Sequence, residues 1–262
     1  MIPKIIHYAW FGGKPIPDAE RAYINGWKKL CPDYEFRFWS EANYDVTKHK
    51  YPREAYAHDK FAFAVDYARL DILYKYGGIF LDTDVELIAR FDDLLDSPGF
   101  TGFEFGRNRA VNIGIGVGVG AEPENRVIRA MLDDYDTRSF LNPDGAPNLT
   151  TCVVYQNEVL RKLGLVFENR RQVIDGFVFY PTEYFSPMYF RTGEISITEN
   201  THSIHHYHAS WMSAADLYRR ALRQRLVRRC GYTLANALSA GLAYWKFYKF
   251  RALGVIFSKL RR

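Results

Sequence analysis

The chain has 262 residues, of which 48% are hydrophobic and 16% aromatic, enough for a sizeable core, which excludes an intrinsically disordered protein. Its three cysteines, Cys31, Cys152 and Cys230, show no paired spacing, which excludes a disulfide framework or a cysteine zinc site and fits a reducing compartment. The net charge of +5 is uneven: residues 216–262 carry +11, from twelve Lys and Arg and one acidic residue, so residues 1–215 carry −6.

The first third of the chain predicts alternating strands and helices. Residues 2–11 are an apolar run that ends at two glycines, as a strand followed by a turn does. This run turns polar too soon for the apolar core of a secretory signal. A helix is predicted over 19–30 and a second strand over 34–39.

Residues 59–76 carry the strongest helical pattern of the chain. Apolar residues recur at helical spacing on one face, while Asp66 and Arg69 lie on the opposite face. The pair has two interpretations. It is either a surface ion pair, which stabilises a helix by about 0.2–0.5 kcal/mol, or an arginine placed to neutralise phosphate charge, which its planar donor fork suits.

Two carboxylates, Asp82 and Asp84, follow a pair of glycines and a short apolar run. This pattern predicts a buried strand over 79–84. Because side chains alternate along a strand, both carboxylates project from one face, where they repel each other unless a cation lies between them. Such oxygen ligands suit Mg²⁺ or Mn²⁺, so the segment predicts a metal–diphosphate site at a strand end.

The remainder of the body continues the alternation. We predict strands over 100–106, 177–180 and 195–197, helices over 124–135 and 151–163, and a terminal strand or loop over 203–211. Residues 111–120 alternate apolar residues with glycine, which predicts a strand with a helix or a ligand packed on its glycine face, and Asn112 is an acceptor-side candidate there. The alternation of strands and helices predicts an α/β fold, which binds ligands at the carboxyl ends of its strands.

Three blocks of the sequence together resemble glycosyltransferase family 32, a family of DXD-containing sugar transferases. The blocks are the opening strand 2–13, the central block 66–84 and the His-rich ending 205–211. The family includes yeast-type α-mannosyltransferases, bacterial capsule and lipopolysaccharide glycosyltransferases and, more distantly, the glucosylating domain of large clostridial toxins. The resemblance implies a GT-A type, Rossmann-like nucleotide-sugar-binding fold over 1–215, a divalent metal, and transfer with retention. Residues 216–262 lie outside it as a basic helical appendage.

The resemblance also implies a catalytic set within the central block. Asp66 and Arg69 are expected to bind the donor sugar and its diphosphate. Asp82 is expected at the ribose and a metal-bound water, and Asp84 is expected to bind the metal directly. The sequence offers no clear carboxylate nucleophile, so the resemblance favours a front-face route in which the leaving phosphate takes the proton of the acceptor.

Further donor contacts are implied outside the four catalytic residues. Trp10 is expected to stack on the nucleotide base, although an ordinary core tryptophan is the open alternative. Phe80 is also expected to contact the donor, but without any hydroxyl contact, since the toxins have tyrosine where this chain has phenylalanine. Ser210 and Trp211 are expected to close over the donor as a lid.

The cluster of histidines before that lid offers a nitrogen ligand for the metal. On an extended strand His206 and His208 share one face, and His205 points away. An imidazole beside carboxylates suits Mn²⁺ over Ca²⁺. From the register of the motif we expect His206 to be the metal ligand, with His208 as the second candidate and as an acceptor-side residue.

The basic tail over 216–262 predicts a membrane-surface helix. Its longest uncharged stretch, 230–245, has 16 residues, short of the roughly 20 that a membrane span requires. Basic amphipathic helices with aromatic residues lie on anionic leaflets, and we expect a cytoplasmic protein held on the inner face of the cell membrane. Docked helices with a solvated basic face, or an oligomer contact, are open alternatives. No nucleic-acid-binding motif accompanies the charge.

These expectations combine into a metal-dependent hexosyltransferase. Its donor is a nucleoside-diphosphate sugar, with a UDP-sugar favoured, and its acceptor is a sugar hydroxyl of a glycan or glycolipid in polysaccharide, capsule or lipopolysaccharide synthesis. One alternative is a phosphohydrolase with Asp82 as nucleophile and Asp84 as general acid, although such a strand usually opens its domain. The other is a non-enzymatic membrane-surface module whose acidic pair is incidental.

Overall fold

The structure is a computed structural model that describes residues 1–106, 110–208 and 212–259, with side chains described as far as Tyr248. Its internal contacts divide the chain into two compact units. The first consists of Met1–Met188 and Ile195–Tyr207, and the second of Tyr189–Glu194 and His208–Arg262. The division into domains 1–215 and 216–262 stays a prediction.

The strands and helices follow one another in an α/β order. The strands are β1 (Ile5–Ala9), β2 (Glu35–Trp39), β3 (Gly78–Phe80), β4 (Val85–Leu87), β5 (Gly99–Phe105), β6 (Val111–Ile113), β7 (Val119–Ala121), β8 (Gln172–Ile174), β9 (Phe177–Tyr180), β10 (Met188–Tyr189), β11 (Glu194–Ile195) and β12 (Ser203–His205). The helices are α1 (Asp18–Leu30), α2 (Lys50–Ala57), α3 (Phe61–Tyr76), α4 (Arg126–Asp136), α5 (Cys152–Lys162), α6 (Thr182–Phe185) and α7 (Ala214–Lys259).

One large sheet organises the first unit. Its strand order is β2-β1-β3-β7-β5-β9-β8, with β6 paired to β5. Strand β1 runs parallel to both β2 and β3, β5 runs parallel to β9, and β7 runs antiparallel between β3 and β5. Helices connect the parallel strands. The predicted α/β fold with a C-terminal helical appendage is confirmed.

Helices cover both faces of this sheet. Helices α2, α3, α4 and α5 share one hydrophobic core with it, and α1 and α6 share a second. Side chains alternate along β3, so neighbouring residues belong to different cores: Ile79 lies in the second core and Phe80 in the first. The predicted helices over 19–30, 124–135 and 151–163 and the strand over 177–180 are confirmed to within two residues.

Helix α3 lies where 59–76 was predicted, but the expectation of one apolar face is wrong. The helix is buried on nearly every side, since Tyr67, Ala68, Arg69, Leu70 and Asp71 are all buried. Helix α3 shares one core with the sheet and with neighbouring helices, so most of its sides contact other elements and it needs no polar face. The surface ion-pair interpretation of Arg69 is therefore wrong.

The strand predicted over 79–84 is shorter in the structure. Strand β3 ends at Phe80, and the chain then turns, with the Val85 N–H donating to the Asp82 carbonyl oxygen at 3.1 Å. Both glycines before the strand have positive φ, 62° at Gly77 and 92° at Gly78, a conformation that residues with a Cβ rarely adopt. The two carboxylates thus lie in a turn beyond the strand and not on one strand face.

The glycine-rich segment 111–120 is not one strand, as was predicted. It forms β6, a single 3₁₀ turn over Ile115–Val117, and β7. The close packing predicted from its glycines is present, but its source is the side chains of neighbouring strands. A Cβ on Gly120 would lie 2.3 Å from the ring of Phe100.

The second unit is built around α7. Gly231, with φ 72° and ψ 167°, interrupts the helix and divides it into two arms. The arms contact each other: Arg219 Nη2 donates to Asn236 Oδ1 at 3.3 Å, and the rings of Tyr218 and Phe247 are 5.7 Å apart. Among the described residues, no helix combines the length and the hydropathy required to cross a membrane.

Candidate functional site

The chain turn after β3 meets the end of β12. Strand β12 pairs antiparallel with β4, which places His205 opposite Val85, directly after the turn that carries the two carboxylates. The His206 N–H continues this pairing by donating to the Asp84 carbonyl oxygen at 3.0 Å. This small second sheet brings a histidine from near the end of the first unit to Asp82 and Asp84.

Asp82, Asp84 and His205 form a cluster that can hold a metal ion. Each offers one ligand atom, and these atoms lie within 4.8 Å of one another. The Nε2 atom of His205 is 3.2 Å from Asp84 Oδ1, whereas its Nδ1 atom is buried with no hydrogen-bond partner among the described residues. Two carboxylates and one imidazole are a donor set that fits Mn²⁺ or a similar divalent cation.

Arg69 holds the first of these carboxylates in place. Its Nη2 atom donates to Asp82 Oδ1 at 2.5 Å, and its Nη1 atom is 3.5 Å from Asp66 Oδ1. The side chain is buried, and the guanidinium lies over the ring of Phe80 at 5.4 Å. Burial opposes its charge, but Asp82 and Asp66 outweigh this effect and raise the pKa of Arg69. Arg69 is thus a charged clamp between two elements of the site.

Asp66 is the second carboxylate beside Arg69. Burial raises its pKa to about 7, although Arg69 and, more weakly, the thiol of Cys152 oppose the shift. Cys152 is the first residue of α5, and sequence reasoning assigned it no role.

The electrostatics of the site favour a bound cation. Burial raises the pKa of Asp82 although Arg69 lowers it, which indicates that the carboxylate charge is incompletely balanced. Burial also opposes the charge of His205, but Asp84, Asp82 and Glu104 outweigh it and raise the pKa of the imidazole. A divalent cation would supply the missing positive charge.

Two glycines of the segment between β6 and β7 make room for carboxylates of the site. A Cβ on Gly116 would lie 2.2 Å from Asp82 Oδ2, and a Cβ on Gly114 would lie 2.4 Å from the carboxylate carbon of Glu104. Either side chain would displace the acid opposite it. The alternating glycines, which sequence reasoning linked to a helix or a ligand, therefore serve the placement of Asp82 and Glu104.

Glu104 was missed by sequence reasoning. It lies on β5, opposite Asn112 of β6, and its Oε2 atom accepts a hydrogen bond from the Tyr207 hydroxyl at 3.0 Å. Tyr207 in turn is 2.6 Å from Ser186 Oγ, and its ring is 4.1 Å from the ring of His205. Burial raises the pKa of Glu104. An isolated glutamate in a strand has no sequence signature that would have revealed this role.

The structure places His206 elsewhere than predicted. Its Nε2 atom is 2.8 Å from Glu86 Oε2, and its ring stacks on Tyr23 with centroids 4.9 Å apart. The expected alternation of side chains fails because β12 ends at His205 and Tyr207 has a positive φ of 51°. His205, expected to point away, is the histidine beside Asp84.

The other predicted residues are placed as follows. Phe80 is fully buried beneath the guanidinium of Arg69, and its contact with the donor stays a prediction. Trp10 follows β1 and is partly exposed, its Nε1 atom donating to the Lys14 carbonyl oxygen at 2.8 Å. Asn112 is adjacent to Glu104. His208 belongs to the second unit, and Ser210 and Trp211 lie outside the described residues.

A buried histidine on β1 positions the turn that leads into β3. His7 lies opposite Phe80 in the parallel pair. The indole N–H of Trp39 donates to its Nδ1 atom at 3.1 Å, so Nε2 must carry the proton that bonds the Gly77 carbonyl oxygen at 2.9 Å. Burial lowers the pKa of His7 to about 4. A neutral imidazole of one tautomer thus fixes the glycine before the site.

Comparison with known proteins identifies the region that carries this site. Residues 17–101 match the family described as a glycosyltransferase sugar-binding region containing a DXD motif. The match includes the four residues of the predicted catalytic set. The resemblance to DXD-containing sugar transferases is confirmed over that region.

Several curated proteins are similar to the same part of the chain. Inositol phosphoceramide mannosyltransferase 3 of Schizosaccharomyces pombe is 36% identical over 107 residues, which cover 38% of this chain and 29% of that protein. Mannosyl phosphorylinositol ceramide synthase SUR1 of Saccharomyces cerevisiae is 31% identical over 104 residues, with 38% and 27% covered. The chain thus spans less than a third of the length of these relatives.

Similar solved structures include two glycosyltransferases. PaToxG glycosyltransferase has a TM-score of 0.49 and 19% identity, with 62% of this chain and 69% of that chain covered. A glycosyltransferase involved in glycosylation of the major capsid of PBCV-1 has a TM-score of 0.44 and 13% identity, with 82% and 97% covered.

Proposed function

We propose that this protein transfers a hexose from a nucleoside-diphosphate sugar to a hydroxyl group of a glycan or glycolipid. One observation carries the proposal: Asp82 and Asp84, which lie within the part of the chain that matches the DXD sugar-binding region, converge with His205 on a site for a divalent cation. A cation at such a site offsets the charge that develops on a leaving diphosphate.

The residues of the chain prepare the site for this reaction. Arg69 fixes Asp82 and is itself held between Asp66 and the ring of Phe80, so little reorganisation is needed when the donor binds. His205 and Asp84 hold each other at the opposite side of the cluster. Trp10 follows β1, the parallel neighbour of β3, and we assign its ring to the nucleotide base.

The donor and acceptor classes belong to the same proposal. We favour a UDP-sugar as donor and retention at the anomeric carbon. The relatives are named as an inositol phosphoceramide mannosyltransferase and a mannosyl phosphorylinositol ceramide synthase, which supports a glycolipid acceptor and makes a mannosyl donor the first competitor of the UDP-sugars. The resemblance noted in the sequence adds capsular polysaccharide and lipopolysaccharide as acceptors.

The test is release of nucleotide from a panel of UDP- and GDP-hexoses, with Mn²⁺ or Mg²⁺ present. We expect slow hydrolysis of one donor by the wild-type protein, loss of this activity in Asp84→Asn, and loss with EDTA. Asp133→Asn is the matched control, because Asp133 is an exposed partner of Arg129 on α4. The stereochemistry of the released sugar, followed by NMR, tests retention.

The same assay separates the two alternatives. A phosphohydrolase using Asp82 as nucleophile would cleave a simple phosphate ester and ignore the sugar nucleotides. The clamp of Arg69 on Asp82 Oδ1 at 2.5 Å disfavours that role, since it occupies an oxygen of the proposed nucleophile. A purely structural module would neither cleave nor bind any nucleotide.

We also propose that the second unit rests on an anionic membrane surface. Beyond Gly231, the apolar side chains of Leu234, Leu238, Leu242 and Trp245 recur at helical spacing and are 52%, 43%, 46% and 61% exposed. The opposite side of this arm is buried, as Ala235, Ser239 and Ala243 show. With a charge of +11 over 216–262, an exposed apolar face with tryptophan supports binding to anionic lipid.

Co-sedimentation of the full chain with vesicles tests the membrane proposal. We expect binding to vesicles of phosphatidylglycerol and phosphatidylethanolamine, weak binding to phosphatidylcholine, and a loss of binding in Leu238→Ser/Trp245→Ser. The control is Val173→Ser/Ile197→Ser, which removes apolar side chains equally exposed in the first unit. Equal binding to both kinds of vesicle, or equal loss in both variants, contradicts the proposal and favours a solvated or oligomeric helix pair.

A further inference from the structure

We infer that Glu104 binds a hydroxyl group of the transferred sugar. This inference rests on the proposed function and adds to it a sugar-specific contact beside the metal cluster. Glu104 lies on β5 at the edge of that cluster, because Tyr207, whose hydroxyl donates to Glu104, has its ring 4.1 Å from the ring of His205. It is not one of the three residues whose ligand atoms converge on the cation site, so its carboxylate remains for another ligand.

The protein holds this carboxylate in one position. The Tyr207 hydroxyl donates to Oε2 at 3.0 Å, and Ser186 Oγ lies 2.6 Å from the same hydroxyl. Because the phenolic proton is directed to Glu104, the serine is the donor in the second bond. Gly114 leaves the space that the carboxylate fills. A hydrogen-bonded chain and a glycine thus define the position of a side chain that would otherwise rotate.

One oxygen of Glu104 is left for a ligand. Among the described residues no hydrogen bond reaches Oε1, and this atom is not among the buried polar atoms that lack a partner. It therefore keeps contact with solvent. A carboxylate oxygen in this state accepts hydrogen bonds from hydroxyl groups, the donors that a hexose presents.

Asn112 supplies a complementary donor across the strand pair. The Ile113 N–H donates to Asn157 Oδ1 at 3.0 Å, so the amide nitrogen of Asn157 must donate to Asn112 Oδ1, also at 3.0 Å. The Nδ2 group of Asn112 is left as a donor whose orientation is set by a backbone N–H. Residues directly opposite in an antiparallel pair share a face, with Cβ atoms about 5 Å apart.

The pair of Glu104 and Asn112 therefore matches the chemistry of a sugar. Vicinal hydroxyl groups both donate and accept, and here an acceptor and a donor lie side by side next to the cation site. A free nucleotide lacks the hydroxyl groups of the hexose and has vicinal hydroxyl groups only on its ribose, so an effect confined to the sugar nucleotide assigns the pair to the hexose. The inference thus predicts that Glu104 distinguishes a nucleotide sugar from the free nucleotide.

The experiment compares binding of free nucleotide with turnover of the sugar nucleotide. For Glu104→Gln we expect the Kd for UDP or GDP with Mn²⁺ to stay within about threefold of wild type, because the lost charge faces the sugar. We expect kcat/KM for UDP-glucose, UDP-galactose or GDP-mannose, whichever the wild type uses, to fall about 10- to 100-fold, the range for a hydrogen bond to a charged group.

Two further variants keep Glu104 itself and change only the groups that position its carboxylate. Gly114→Ala is conformationally allowed, since Gly114 has φ −114° and ψ 97°, and its methyl group would push the carboxylate away. Tyr207→Phe removes the hydroxyl that holds Oε2. We expect both to reproduce the pattern of Glu104→Gln, with a smaller loss in Tyr207→Phe. Glu168→Gln, at an exposed pair with Arg170, is the control.

The outcomes distinguish this inference from the proposed function. If Glu104→Gln leaves turnover of the sugar nucleotide unchanged, or weakens free nucleotide equally, Glu104 does not bind the sugar. If the wild type binds neither UDP nor GDP with Mn²⁺, the proposed function fails and the inference fails with it. Melting temperatures of all variants show whether a loss comes from unfolding.

Discussion

The two units of the molecule treat charge in opposite ways. In the first unit Arg69 is 2% exposed and lies between Asp66 and Asp82. In the second unit Arg225, Arg228 and Arg229 are exposed on α7. In the first unit each buried charge holds an opposite charge in position. In the second unit the arginines expose an excess of positive charge to solvent.

The difference has an energetic basis. A buried charge is tolerated only when partners replace the water it has lost, so each buried group has one acceptable arrangement and its loss is costly. Exposed charges are screened, and a single exposed pair contributes about 0–1 kcal/mol. We therefore expect sharp effects from single changes in the first unit and small effects in the second.

We expect the largest loss of Mn²⁺ affinity and turnover from a change at His205, and almost none from the same change at its neighbour His206. His205→Ala removes the imidazole beside Asp84, and we expect Mn²⁺ affinity and turnover to fall by roughly 100-fold or more, because even indirect partners of a metal cost about 10- to 100-fold. His206→Ala, which loses the pair with Glu86 and the stacking on Tyr23, should change both by less than threefold. Mn²⁺ titration and turnover assays measure both effects. A larger loss in His206→Ala than in His205→Ala would indicate that His206 is the metal ligand.

A change of one glycine should disturb the site without touching a ligand. In Gly116→Ala the new methyl group would lie 2.2 Å from Asp82 Oδ2, so the carboxylate must move. We expect Mn²⁺ affinity to fall roughly 10- to 100-fold, while the melting temperature changes little because the displaced group is the end of a side chain. Retention of wild-type Mn²⁺ affinity would show that Asp82 is not held as tightly as the geometry indicates.

The buried His7 should make the stability of the first unit fall in mild acid. Its pKa is lowered from 6.5 to about 4 in the folded chain. Between pH 6.5 and 4, His7 is therefore protonated in the unfolded chain but neutral in the folded chain. Stability is complete above pH 6.5 and is lost as the pH falls towards 4, by about 2 kcal/mol between pH 7 and 5.

Urea unfolding at pH 7 and pH 5 measures this loss. In His7→Gln, whose amide can accept from Trp39 and donate to Gly77, the fall in the free energy of unfolding should be smaller by that amount. An unchanged pH dependence in the variant would assign the acid sensitivity to other groups.

The smallest effect should come from a glycine of the second unit. A Cβ on Gly241 meets nothing within 4 Å, and the residue lies within the second arm of α7. Gly241→Ala should therefore stabilise the helix by about 0.5–1 kcal/mol, since alanine loses less conformational entropy. Urea unfolding of the full chain measures it. Destabilisation would indicate that another surface covers this part of the helix.

Local patterns of the sequence were sufficient for much of the fold. Patterns of apolar residues locate α1, α3, α4 and α5, although α3 has no separate polar face. The glycine pair before Asp82 and Asp84 marks a strand that leads into a carboxylate turn. The uneven charge separates the basic tail from the acidic body. Each of these signals depends on residues close together in the chain.

The composition of the site was decided by tertiary structure. His205 and not His206 reaches Asp84 because β12 ends at His205. Glu104 accepts a hydrogen bond from Tyr207, which lies 103 residues further along the chain. Periodicity says which residues share a face of one element, but it carries no information on what that face meets. The sequence by itself determined the α/β fold and the carboxylate pair, whereas packing between distant elements decided which histidine joins that pair, the buried state of Arg69 and the position of Glu104.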